Sequence, residues 1–195
     1  TLAEEIVSKL SEKYFISETD TFLDPAFAGG QLLKALARRL NKHGHSIENI
    51  RSRLFGYEDS IAYLNHPINK STARIARLSA VNFLEHDNYM SKKFDVCVMN
   101  SPYTKGAKLL YTYFFKKALD ECDTVLGVMP VDLDSGHDKL KFHNQRLQAH
   151  LIHMSDNVSE HFDVGYNNIH YVVASSDVSN PVLEKEDKLT SITQN

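Results

Sequence analysis

The sequence predicts an α/β protein: a doubly wound, seven-stranded, mostly parallel sheet whose last strand runs antiparallel. Two observations predict it. Short apolar strand-like runs alternate with amphipathic helix-like stretches along nearly the whole chain. The last two strand-like runs are joined only by "SEHFDVGY", too short for the crossover that a parallel pair requires.

Each element follows from its own pattern. "TLAEEIVSKL" reads as an amphipathic helix. "TFLDPAF" (21–27) is the first expected strand, and "GGQLLKALARRLNKHG" the helix after it, with Leu32, Leu33, Leu36 and Leu40 on one stripe. The second strand is expected over 50–58, "IRSRLFGYE", and a helical region from Asp59 through "STARIARLSA". "VNFLEHD" (81–87) is expected as the third strand and "FDVCVMN" (94–100) as the fourth. The helix "AKLLYTYFFKKALDE", the strand "DTVLGVMP" (123–130) and the helix "HDKLKFHNQRLQAH" come next. The sixth and seventh strands are expected over 151–158 and 167–176, followed by a loose polar tail.

The 195 residues suit one domain, and 42% hydrophobic with 24% charged residues is an ordinary globular composition. No apolar run approaches the roughly 18 residues of a membrane helix, and no signal peptide is visible. Cys97 and Cys122 lie in strand-like runs and read as reduced core thiols of a cytoplasmic protein. A net charge of −3 makes the domain as a whole no electrostatic trap for nucleic acid. The chain begins at Thr1, which reads as a piece of a longer protein or one subunit of an assembly.

Open α/β sheets bind ligands beyond the carboxyl ends of their strands, so the residues after each strand carry the functional reading. After the first come Asp24, a carboxylate able to accept from an amine, and Gly29–Gly30, which allow close backbone approach; the plainer reading is a strand-to-helix turn. After the second, Glu58 is placed to accept ribose hydroxyls, with Asp59 as a helix cap; the plainer reading is two solvated acids at a helix start. After the third, Asp87 can accept from an exocyclic amine, or belong to a polar loop. After the fourth comes "NSPY", Asn100 to Tyr103, which is either a tight turn or a pocket for a planar amino group. Four such ends in one crevice outweigh any one of them.

In this order, "FLDPAFAGGQLL", "GYEDS", "EHD" and "NSPY" resemble the S-adenosylmethionine-dependent adenine-N6 DNA methyltransferases, whose catalytic motif is Asn-Pro-Pro-Tyr. The resemblance runs from Thr1 to about Ser176 and implies the class I, Rossmann-like methyltransferase fold. It implies a catalytic domain over 1–177 and a polar tail over 178–195, with no separate target-recognition domain. It assigns the cofactor S-adenosylmethionine to Thr1, Asp24, Pro25, Ala26, Ala28, Gly30, Glu58, Asp59 and Asp87. Catalysis falls to Asn100, Ser101, Pro102 and Tyr103, and stacking against the base to Phe162 as a second aromatic; Lys105, which follows the catalytic loop, is placed by its own charge and position to touch DNA phosphate. Phe162 reads equally well as a core residue, and Lys105 as part of a solvated face. Ala28 stands where the family usually has Gly, and Ser101 where it usually has Pro.

The chemistry suits those residues. The exocyclic amine of adenine is a poor nucleophile, because its lone pair is delocalised into the ring. The Asn100 amide oxygen and the backbone carbonyl of Ser101 can accept its two N–H groups and favour a pyramidal nitrogen. Serine supplies that carbonyl as well as proline, with less rigidity, and Pro102 fixes the turn. Tyr103 offers a ring for base stacking. The target base is flipped from the duplex or already single-stranded. No metal is required, and the 10 histidines show no metal-ligand spacing. The implied partners are DNA and either a specificity subunit or a missing recognition domain, with no membrane. RNA bases, a protein glutamine amide, or a silent nucleic-acid-binding module remain as alternatives.

Overall fold

The computed structural model describes residues 1–86, 94–105, 108–133, 138–162 and 165–177. Asp87 and the tail 178–195 therefore lie outside the described residues. The elements are α1 (Leu2–Ser8), α2 (Lys13–Ile16), β1 (Phe22–Asp24), α3 (Gln31–Lys42), α4 (Ile47–Arg53), β2 (Leu54–Glu58), α5 (Ile61–Leu64), α6 (Thr72–Ile75), β3 (Arg77–Ala80), β4 (Phe94–Met99), α7 (Leu110–Glu121), β5 (Cys122–Pro130), α8 (Asp138–His150), β6 (Leu151–Met154) and β7 (Ile169–Ser175).

Seven strands form one sheet in the order β3-β2-β1-β4-β5-β7-β6. β3, β2, β1, β4 and β5 are mutually parallel, and β7 inserts antiparallel between β5 and β6. The expected antiparallel last strand is therefore present. Strand order reverses between β1 and β4, which opens a crevice at their carboxyl ends.

Side-chain alternation sorts the central strands onto two faces. Phe22, Val96, Val98, Leu126, Val128, Tyr171 and Val173 pack with Ile6, Leu33, Leu36 and Leu40 of α1 and α3. Leu23, Cys97, Met99, Val125, Met129 and Val172 pack with Phe114, Phe115, Ala118 and Leu147 of α7 and α8. Both cysteines are buried free thiols. Among the described residues no helix is long and apolar enough to cross a membrane.

Three expected elements are corrected. The second strand begins at Leu54, not Ile50, because Ser46 caps a helix over Ile47–Arg53, its hydroxyl accepting the Asn49 N–H at 3.2 Å. The helical region expected after Asp59 is broken into α5, a 3-10 turn at Pro67–Asn69 and α6, and it gives way to β3 at Arg77. Ser60, not the expected Asp59, caps α5, its hydroxyl accepting the Tyr63 N–H at 3.3 Å, and Pro67 with the capping residue His66 divides the region again. The third strand is accordingly Arg77–Ala80, and residues 81–86 form a loop in which Asn82 accepts the Leu84 N–H at 3.1 Å.

Candidate active site

The loop after β1 is shaped by its backbone. Gly30 adopts φ +69° and opens α3, and a Cβ there would collide with the Thr72 side chain. Ala28 adopts φ +46°, a left-handed conformation unusual for a residue with a Cβ. Phe27 N–H donates to the Tyr57 carbonyl at 3.2 Å, and Ala28 N–H donates to Glu58 Oε2 at 3.3 Å. The β1 loop is thus laced to the end of β2.

Three acids gather beneath and beside it. Asp24 is 2% exposed, and its Oδ1 accepts the Ala26 N–H at 3.2 Å. Burial pushes its carboxyl up to about 7; the Ala26 bond opposes the rise and nearby Glu58 adds to it. Glu58 Oε1 accepts the Ser60 N–H at 3.2 Å. Partial burial raises the Glu58 carboxyl above its ordinary range, two backbone N–H groups pull it down, and neighbouring Asp59 adds to the rise.

The loop after β3 supplies an apolar wall. Phe83 is buried, with its ring centroid 5.5 Å from Phe114 and 6.5 Å from Tyr57. Lys117 donates to the His86 carbonyl at 2.6 Å and pairs with Glu121 at 2.7 Å, tying this loop to α7.

β4 delivers Asn100 to the sheet edge, where its side chain is exposed. The Tyr103 hydroxyl donates to Asn100 Oδ1 at 3.3 Å. The Tyr103 ring meets Tyr166 edge-on at 5.5 Å and Tyr111 at 6.4 Å. Burial, with Tyr166 adding to it, pushes the Tyr103 phenol up to about 12, so it remains a neutral hydrogen-bond donor. Ser101 is buried, and its hydroxyl has no partner among the described residues.

These pieces enclose a cleft of about 320 Å³ lined by Pro25, Ala26, Ala28, Glu58, Asp59, Val81, Asn82, Phe83, Asn100, Pro102 and Phe114. Seven of the residues singled out in the sequence share this lining: Pro25, Ala26, Ala28, Glu58, Asp59, Asn100 and Pro102. Asp24 reaches the loop from below through Ala26, and Tyr103 touches the site through Asn100. Thr1, Lys105 and Phe162 are not among the lining residues. The Thr1 hydroxyl caps α1, Lys105 is exposed and bridges backbone-to-backbone with Lys108, and Phe162 packs half-buried against the α1–α3 side of the core. Sequence reasoning missed Val81, Asn82, Phe83 and Phe114 on the walls, and Tyr166 against Tyr103. Phe83 was hidden in an apparent strand; Tyr166 lies four residues beyond Phe162 in a segment already marked as aromatic.

The acceptor-rich floor, the apolar wall and the exposed amide suit a nucleoside-bearing cationic ligand beside an amine substrate. Among the described residues no group of three or more His, Cys, Asp or Glu is placed to hold a metal ion.

No protein-family model matches the chain, and no curated protein matches it in sequence. Solved structures do. The M protein of the type I restriction enzyme EcoKI superposes with TM-score 0.67 at 14% identity, over 92% of this chain and 44% of that one. A putative class I S-adenosylmethionine-dependent methyltransferase from Listeria monocytogenes gives TM-score 0.66 at 15% identity, over 93% and 62%. A putative RNA methyltransferase from Pyrococcus horikoshii gives 0.59 at 11%, over 89% and 83%. This chain thus spans less than two thirds of the first two proteins. Strand order, the antiparallel β7 and these superpositions together establish that the chain has the class I methyltransferase fold.

Proposed function

We propose that the chain transfers a methyl group from S-adenosylmethionine to the N6 amine of adenine in DNA. The observation that supports this best is the shared wall: the Asn100 amide stands in the same cleft as Glu58 and Asp59. A nucleoside-binding acid pair and an amide acceptor on the walls of one cleft suit a bound cofactor whose reactive end is turned toward an amine at Asn100.

The residues present fit the cofactor. Glu58 and Asp59 accept from ribose hydroxyls, and Phe83 and Phe114 offer apolar walls to the purine. Asp24 attracts the cationic end, and Gly30 lets backbone approach closely. Bound there, S-adenosylmethionine supplies an already activated methyl group. The protein's task is therefore alignment and charge stabilisation. Asn100 Oδ1 and the Ser101 carbonyl accept the two amine N–H groups, rehybridise the nitrogen and stabilise the positive charge that develops on it. Pro102 holds the turn, and the Tyr103 hydroxyl steadies Asn100 while its ring meets the base. A flipped base reaches this cleft, whereas a base stacked in a duplex does not. Lys105 contributes at phosphate, and a specificity subunit or further domain reads the sequence.

Calorimetry with S-adenosylmethionine and transfer of its labelled methyl group to DNA and to RNA test the reading. Saturable cofactor binding with label in DNA supports it. Label confined to RNA or to protein moves the substrate to one of those classes, and binding without transfer marks a silent module.

A further inference from the structure

We propose that Asn69 is a positioning residue that holds Ala28 in the left-handed backbone conformation on which the cleft is built. The role of that conformation in ligand binding rests on the cofactor reading above; the clamp itself does not.

Ala28 is the one non-glycine residue with positive φ among the described residues, at +46°. A Cβ disfavours that conformation, so it persists only where the surroundings over-determine it. The surroundings here are specific. Asn69 is 1% exposed, and its Nδ2 donates to the Ala28 carbonyl at 2.9 Å and to the Tyr63 carbonyl at 2.9 Å. Two carbonyls converging on one amide end fix that end as nitrogen. Asn69 is itself anchored: its backbone N–H donates to the His66 carbonyl at 2.9 Å, and it closes the Pro67–Asn69 turn. On the other flank the Thr72 side chain packs against Gly30, leaving no room for a Cβ there. The crossover between β2 and β3 thus grips the β1 loop from outside, while Glu58 receives the Ala28 N–H at 3.3 Å from inside the cleft. Of these two bonds the Asn69 one is shorter and part-buried whereas the Glu58 one is exposed, so the Asn69 bond is the better shielded from water and carries more of the restraint.

If Asn69 offsets the Cβ penalty at position 28, the share of its contribution that passes through the Ala28 carbonyl matters only while that penalty exists, whereas the bond to the Tyr63 carbonyl is lost in either background. A glycine in place of Ala28 adopts the same φ freely. The test is a double-mutant cycle of Asn69→Ala and Ala28→Gly, read by urea unfolding without ligand and by calorimetry with S-adenosylmethionine. The expected result is that Asn69→Ala lowers the urea midpoint and weakens cofactor binding about tenfold, as the competent loop conformation becomes a minority. Adding Ala28→Gly recovers most of the binding loss and part of the stability loss, the Tyr63 bond staying lost in both backgrounds. Equal losses from Asn69→Ala with and without Ala28→Gly overturn the proposal and reduce Asn69 to packing. If Asn69→Ala alone does not fold, folding of the double variant supports the clamp, and failure of both to fold overturns it. If the wild type binds no S-adenosylmethionine, the cofactor reading fails, while the unfolding arm still decides the clamp.

Discussion

Asp24 is a carboxylate buried to 2% exposure, satisfied by one backbone N–H and close to a second acid. Ionising it in the ligand-free fold is costly, and the cost can be worked out. Its carboxyl rises from an ordinary 3.8 to about 7, a difference worth about 4 kcal/mol at 1.36 kcal/mol per pH unit. The sign follows from proton linkage: the folded state binds this proton more tightly than the unfolded chain, so stability falls as pH rises from about 4 to about 7 and is level beyond. Asp24→Asn keeps an oxygen for the Ala26 N–H and removes the buried charge. The variant should match wild type near pH 4 and exceed it by up to about 4 kcal/mol at pH 8. Urea unfolding of both proteins at whole pH steps from 4 to 8 measures the gap, which should open between about 4 and 7. If the cofactor reading holds, the same variant should bind S-adenosylmethionine more weakly at pH 8, since it has lost a negative charge beneath the β1 loop that lines the cleft. A stability gap independent of pH would refute the argument, because it would show that Asp24 ionises without penalty.

Two further substitutions test the scaffold. Arg53 is 2% exposed and donates to the carbonyls of Asp20 at 2.7 Å and Tyr14 at 2.9 Å, so Arg53→Met should cost about 3 kcal/mol in chemical denaturation by orphaning both. A Cβ at Gly56 would stand 2.8 Å from Leu78 Cδ2 and Phe27 Cδ1 and 2.9 Å from Leu33 Cδ1, so Gly56→Ala should cost about 1–3 kcal/mol through overpacking, read as a lowered melting temperature.

The parallel centre of the fold was legible because its strands are buried on both faces. Phe22–Asp24, Phe94–Met99 and Cys122–Pro130 are short apolar runs ending in polar turns, and each lies within the range expected for it or departs by one residue. The β3 edge was not legible, whereas the β6 edge was, although it ends at Met154 and not at Val158. Arg77, Ser79 and Ala80 are exposed, so β3 carries little hydrophobic pattern, whereas Val81 and Phe83 next to it look like a strand. Those apolar residues face the cleft, and a ligand wall therefore imitated a strand. The boundary at Ile50 failed for a related reason: Ile50 is buried, but on a helix that Ser46 caps. That the strand-end residues Glu58, Asp59 and Asn100 share one cleft was readable from position alone. The Asn69–Ala28 contact was not, because a bond spanning 41 residues leaves no local pattern. Lys117 at the His86 carbonyl escaped for the same reason.

In the proposed function, Asn100 directs methyl transfer to the N6 amine of adenine. The most direct test is nucleoside mass spectrometry of unmethylated DNA after incubation with S-adenosylmethionine and either wild type or Asn100→Ala, the variant's cofactor affinity being checked by calorimetry. The expected result is N6-methyladenine with the wild type and a loss of at least about a hundredfold with the variant, at little change in cofactor affinity. Methyl groups on another atom, or N6-methyladenine formed equally well without Asn100, would contradict it.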